Sequence, residues 1–335
     1  MKDQSEVIQQ SEMRIKDQNK FRDMKYMVNK FGALFGLVIL SAVFAILSPS
    51  FMKLDNIMNI ARQLSINALL SIGMLLPILT AGIDLSVGSI LAFSIVITGV
   101  VTVMWGMPPI LGIFVCLLVG ALAGLLNGLL LTKLKLPHPF ISTLGTMNVF
   151  RGLALIITGA SPIFGFSYLI NFAGQADVGF IPFSFILVLF VCLLFHIFLT
   201  RTATGRYIYA IGGNKEAARL SGIPVDRVLV IVYTISGLMA ALGGLVLIGR
   251  TNAASPIAGL TYELDAIAAV IIGGASFFGG VGTVWGTLIG AMIIAVLRNG
   301  LNLLGTSTDV QTVVIGVVII LAVFVDVLRR RSKNK

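Results

Sequence analysis

Between residues 31 and 328 the sequence is a succession of apolar runs separated by short polar or Gly/Pro-rich breaks. A bilayer core takes about 20 helical residues to cross, and these runs are of that length. They fall at 31–47, 65–80, 85–105, 108–132, 139–158, 182–199, 228–249, 260–278, 283–304 and 310–328. In lipid the backbone must satisfy its own hydrogen bonds, so such runs can only be helices. The expected fold class is an all-α integral membrane protein of about ten transmembrane helices, some of them broken. With 57% hydrophobic and 11% charged residues in 335, too little polar surface remains for a soluble domain.

The formal net charge of +10 resembles a nucleic-acid signal, but its placement excludes one. No basic helix or aromatic-interleaved basic patch occurs. The basic residues gather at the N-terminus, at Lys133 and Lys135, between 200 and 227, and at Arg329, Arg330 and Arg331. The stretch 159–181 carries no Lys or Arg. Cytoplasmic loops concentrate Lys and Arg, so both termini and 201–227 are expected inside and 159–181 outside. Lys53, Arg62, Arg250 and Arg298 do not follow this pattern. The domain layout is then a cytoplasmic tail at 1–30, a membrane domain at 31–328 and a basic cytoplasmic end at 329–335. The tail holds seven basic and five acidic residues and reads as a solvated segment. The first apolar run has no small-residue cleavage site and is expected to stay as a span. Cys116 and Cys192 lie inside apolar runs and read as small buried hydrophobes.

The apolar pattern is interrupted at Thr80-Ala-Gly-Ile-Asp-Leu-Ser-Val-Gly-Ser89. A carboxylate at membrane depth costs about 2.5–3.5 kcal/mol, which makes Asp84 a functional candidate. It can cap a helix starting at Leu85, with Ser86 as neighbour, or meet a ligand directly; both place it by a pathway or gate. Asn67, Asn127, Asn148 and Asn299 interrupt apolar helices and either bond between helices or line a path. Glu263 and Asp265 head a span and read as its interfacial cap, and Asp326 reads as a partner of the terminal arginines. His138 and His196 have no Cys or carboxylate at ligand spacing, so no metal site is expected. No phosphate-binding Gly-x-x-x-x-Gly-Lys-Ser/Thr stretch is present, and the Gly run 273–282 reads as tight helix packing. Leu126-Asn-Gly-Leu-Leu-Leu-Thr132 echoes Arg298-Asn-Gly-Leu-Asn-Leu-Leu304. The two copies would run in opposite directions, the mark of an inverted repeat.

The longest polar interval, 200–227, contains a short helix with written ends. Asn214 is a good N-cap, Glu216 suits the positive end of the helix dipole and Arg219 the negative end. Gly222 can close the helix in the left-handed conformation and Pro224 stops it. The segment reads as a connector or as a knob on which another protein can push.

Together these stretches resemble the permease subunits of bacterial ABC importers for monosaccharides, the ribose-type family. The resemblance rests on 81–90, on Pro139-Phe-Ile-Ser-Thr-Leu-Gly145 with Arg151-Gly152, on 204–223, on Tyr262-Glu-Leu-Asp-Ala-Ile-Ala-Ala-Val270 and on Asn299-Gly-Leu-Asn-Leu-Leu304. It covers the chain from about residue 31. The resemblance implies a transport subunit of the cell inner membrane, not an enzyme, without a cofactor of its own. Its implied partners are a second permease subunit, such as a second copy in a homodimer, an ABC ATPase subunit, and a periplasmic or lipid-anchored sugar-binding protein. Within it Asn214, Glu216, Ala217, Ala218, Arg219 and Gly222 match the ATPase-docking loop. Relatives for xylose, galactose, allose, arabinose, inositol and a furanosyl signalling molecule share the same marks. The competing reading is an ion-coupled secondary transporter, which an intramembrane Asp and an inverted repeat also suit.

Overall fold

The computed structural model describes residues 32–136 and 138–333, with position 325 and those from 328 on given by backbone alone. The expected tail at 1–30, Pro137 and the side chains of Arg329, Arg330 and Arg331 lie outside the described residues.

Helix α1 (Gly32–Leu47) leads into α2 (Leu54–Leu79), the axis of the molecule: 89% of its apolar window is buried. Helices α4 (Pro109–Thr132), α5 (Pro139–Thr158) and α7 (Phe183–Arg201) lie at the periphery, with 28% of each window buried. Ile110, Phe114, Ile156 and Phe190 are exposed on them, an arrangement that suits acyl chains as the solvent. Helix α10 (Val225–Thr251) packs antiparallel against α4 through residues at every fourth position. Gly120, Gly124 and Gly128 lie on Gly237, Tyr233 and Val230, and a Cβ at Gly124 would overlap the Tyr233 carbonyl. Small residues at this spacing let two backbones touch, which is how helices associate where lipid is as apolar as they are.

Two expected spans are not whole helices. The span at 85–105 begins only at Val87, as α3 (Val87–Gly99), and ends in a π-helical turn, Val100–Met104. The span at 260–278 is helical only over α11 (Tyr262–Ile272), about 16 Å long and half of a bilayer core. From Gly273 the chain turns, with Gly274, Gly279 and Gly280 at positive φ, until α12 (Val284–Leu303) begins. These glycines therefore serve a turn rather than helix packing alone. Among the described residues seven helices are long and apolar enough to cross a membrane; α1 and the apolar part of α13 (Thr308–Lys333) are shorter. The expected count of about ten is not reproduced as whole helices.

The two halves are related as the sequence echo suggests. Helices α2 and α10 run antiparallel, Gly73 lying by Met239 and Gly243 by Leu70. Each leads through a non-helical stretch into a second helix, α3 or the short α11, and then into a long helix, α4 or α12. Helices α3 and α11 start against each other, where Gly88 touches the Gly259 carbonyl and the Glu263 carboxylate. The echo segments fall near the ends of α4 and α12, where Asn127 reaches Ser86 and Asn299 reaches Asn56.

The end away from Leu79 is closed by the stretch expected as a loop. Strand β1 (Ile163–Phe164) pairs antiparallel with β4 (Ala253–Ala254), and β2 (Asp177–Val178) with β3 (Ile181–Pro182). Between them α6 (Tyr168–Gln175) packs on α10. Arg62 of α2 clamps both carboxylate oxygens of Asp177 at 2.7 Å. The Leu79 end carries α8 (Ala203–Gly213) and α9 (Lys215–Leu220). Only one short helix was expected in this interval. Thr202 starts the other, its hydroxyl accepting the Gly205 N–H at 3.0 Å.

Candidate functional site

The first break follows the last turn of α2, where the Pro77 carbonyl accepts the amides of Thr80 and Gly82 and closes the helix. The chain then runs unwound to Ser86, and Asp84 is its fully buried centre. One carboxylate oxygen accepts the Ser86 amide at 3.0 Å and the Ser86 hydroxyl at 2.5 Å. The other accepts the Ser236 hydroxyl of α10 at 2.8 Å. Asn127 donates to Ser86 Oγ at 2.7 Å and accepts from Thr146 of α5 at 2.6 Å. Thr143 of α5 also donates to the Ile83 carbonyl at 3.3 Å. The network thus ties the break to α4, α5 and α10 with neutral donors alone. Asp84 organises the turn before α3 by accepting an amide two residues on, rather than capping a helix that starts at Leu85.

The second break is organised by charge. Arg151 of α5 donates to the carbonyls of Pro256 and Ala258, both at 2.7 Å, and Glu263 lies within its electrostatic reach. Asp265, in the first turn of α11, is 1% exposed and accepts two bonds from Arg298 at 2.8 and 2.9 Å. That corrects its reading as an interfacial cap and explains why Arg298 ignores the loop charge pattern: it is consumed in an internal ion pair. Asp326 accepts from the Ser276 hydroxyl and the Phe277 amide, while its expected arginine partners have side chains outside the described residues.

At the Leu79 end, α9 is closed on both sides. Asn214 accepts the Ala217 amide at 3.0 Å. Gly222, at φ 81°, donates to the Arg219 carbonyl while the Ile223 amide reaches back to the Ala218 carbonyl. This paired closure needs a residue free to adopt positive φ. Glu216 and Arg219 form an exposed pair at 3.3 Å. Leu220 is 89% exposed, whereas Ala218 is 5% exposed and packs inside this chain. Ala218, matched to the docking loop, lies on the inward side of α9, while Lys215, Glu216, Ala217, Arg219 and Leu220 are exposed. Beside α9 lies an open cleft of about 490 Å³ lined by Lys135, Lys215, Arg219, Asp226 and the end of α4.

The remaining candidates do not converge. Asn299 exchanges two amide bonds of 2.9 Å with Asn56. Asn67 is buried within α2, and Asn148 is exposed on α5, where it donates to the Leu144 carbonyl of its own helix. Sequence reasoning missed Ser236, Thr146 and Tyr233. Ser236 sits in the small-residue run Ser236-Gly-Leu-Met-Ala-Ala241, where a hydroxyl on an apolar helix was the available signal. Tyr233 is buried with its hydroxyl beside Gly82.

Residues 56–323 match the family described as branched-chain amino acid transport system / permease component. The ribose import permease protein of Bacillus subtilis (strain 168) is 47% identical over 307 residues, covering 91% of this chain and 94% of the relative. The ribose import permease protein of Escherichia coli (strain K12) is 43% identical, covering 88% and 92%. The D-allose transport system permease protein of the same strain is 44% identical, covering 89% and 91%. No solved structure matches.

Proposed function

The chain belongs to the family of branched-chain amino acid transport system / permease components, and we propose that it is the membrane-spanning permease of an ATP-driven importer for ribose or a closely related monosaccharide. It is a transport subunit rather than an enzyme, and a multi-pass protein of the inner membrane. The sugar assignment rests on the relatives, whose names specify ribose and D-allose rather than an amino acid. Such a permease works with an ATPase subunit and a substrate-binding protein. We further place the Leu79 end and both termini in the cytoplasm, since Lys133, Lys135, Arg201, Arg206, Lys215, Arg219 and Arg227 cluster at that end. Two copies pair to enclose the path, with Asn148, a polar side chain exposed midway along an apolar span, facing it.

The observation that carries the docking part of this reading is α9. A six-residue helix does not persist alone in water, so its two closures and its buried Ala218 hold it as a fixed projection. An exposed leucine at its tip, on a basic surface, fits an apolar socket in a partner. The charged pair Glu216–Arg219 contributes little by itself because it is exposed.

The test is Leu220→Asp. The side chain touches little of this chain, so membrane abundance and detergent melting should match the wild type. Co-purification with the ATPase should fall at least roughly tenfold, a loss of about 1.4 kcal/mol or more, because an unpaired carboxylate would be buried where the leucine docks. A variant that binds its ATPase and transports normally returns 201–227 to a mere connector.

A further inference from the structure

Three separate pieces of backbone meet behind α9. Gly212, near the end of α8, lies against the Leu79 carbonyl and the Gly280 amide, and a Cβ there would overlap that carbonyl. The Gly280 amide donates to the Leu79 carbonyl at 2.9 Å. Gly279 touches Ala81 and the Gly212 carbonyl. From one turn earlier in α8, the Tyr209 hydroxyl donates to the Gly282 carbonyl at 2.9 Å. Burial raises the Tyr209 phenol above its ordinary range, so it stays a neutral donor at any physiological pH.

The two segments touched by α8 are not arbitrary. Leu79 ends α2 and Ala81 lies in the unwound stretch that carries Asp84, and 279–282 closes the turn between α11 and α12. Helix α9 follows α8 after the single residue Asn214, itself the cap of α9. A displacement of α9 therefore reaches the first break and the 279–282 turn through one junction of close backbone contacts and two hydrogen bonds. Such contacts cannot slide past one another without steric overlap, which makes the junction stiff.

We propose that Tyr209 and Gly212 form a clamp that transmits movement of the docked α9 to both discontinuous spans, with the Tyr209–Gly282 bond holding the 279–282 turn to α8. The proposal rests on the reading of α9 as the ATPase-docking element. Tyr209 is a positioning residue: it touches no sugar and no nucleotide.

The experiment uses the full complex in proteoliposomes, with ATPase and sugar-loaded binding protein, and measures sugar moved per ATP hydrolysed. Co-purification of wild-type permease with its ATPase checks the docking reading first; its absence defeats that reading and the clamp with it. Tyr209→Phe removes one hydroxyl and leaves the ring in place. Binding of the ATPase and ATP hydrolysis should persist, while sugar moved per ATP falls roughly three- to tenfold, the range one lost hydrogen bond gives. An unchanged ratio overturns the clamp while leaving docking intact, and so does loss of ATPase binding, which would make Tyr209 part of the docking surface. A second measurement does not depend on that variant folding. Spin labels at exposed positions Gly213 and Val281 can be attached selectively because Cys116 and Cys192 are buried. A clamp moves as one body, so their separation should stay constant with and without nucleotide. A change of more than about 5 Å, the rise of one helical turn, overturns it.

Discussion

Asp84 and Asp265 stand at the heads of α3 and α11, both almost completely buried, yet they are held by opposite means. Asp265 faces a full positive charge, the Arg298 guanidinium, in a two-pronged pair that ties α11 to α12. Asp84 has only hydroxyls and an amide around it, drawn from its own turn and from α10. In a low-dielectric interior these solutions fail differently. A paired charge is costly to break because its partner is left alone, whereas an acceptor of neutral donors can be replaced by another acceptor. The α11 side of the molecule is therefore fixed by charge and the α3 side by geometry.

The largest effect should come from breaking the pair. Asp265→Asn leaves Arg298 largely buried and unpaired and should cost about 3–5 kcal/mol. Thermal melting in detergent and yield in the membrane would show it. The double variant Asp265→Asn/Arg298→Gln should recover most of the loss, since no stranded charge remains. Equal melting of single variant and wild type would dissolve the contrast between the two carboxylates.

Substitutions at Asp84 should be milder and should depend on whether an acceptor remains. Asp84→Leu strands the Ser236 hydroxyl and the Ser86 amide, a cost of about 1–3 kcal/mol with a matching loss of transport. Asp84→Asn keeps one carbonyl oxygen for those donors and should stay within about 1 kcal/mol of the wild type. If Asn is as damaging as Leu in melting and uptake, the negative charge itself matters and Asp84 is more than a brace.

How far the sequence revealed this contrast follows from range. Asp84 stood out because a carboxylate in an apolar run is expensive, and its turn partner Ser86 was two residues away. Asn214 and Gly222 were readable because caps are local chemistry, and the structure shows both. Ser236 and Thr146 were not, because Ser236 lies 152 residues from Asp84, and Thr146 reaches its turn only through Asn127, 19 residues away, which in turn lies 41 residues from Ser86. Arg298 was visible only as an exception to the charge rule, and its partner lies 33 residues earlier. The short α11 was hidden because an apolar run has the same composition whether it is a helix or a helix followed by a glycine turn. Exposed Leu220 and buried Ala218 look alike in a one-dimensional pattern, since a six-residue helix offers too few positions to define a face.

We propose that ATP, acting through α9, drives this permease, and that the buried carboxylate at 84 is structural. This is tested most directly by sugar uptake into proteoliposomes containing Asp84→Asn permease, its ATPase and the loaded binding protein. The account predicts ATP-dependent uptake close to that of the wild type, and none from a proton or sodium gradient without ATP. Uptake driven by an ion gradient in the wild type without ATPase, and abolished by Asp84→Asn, would contradict it.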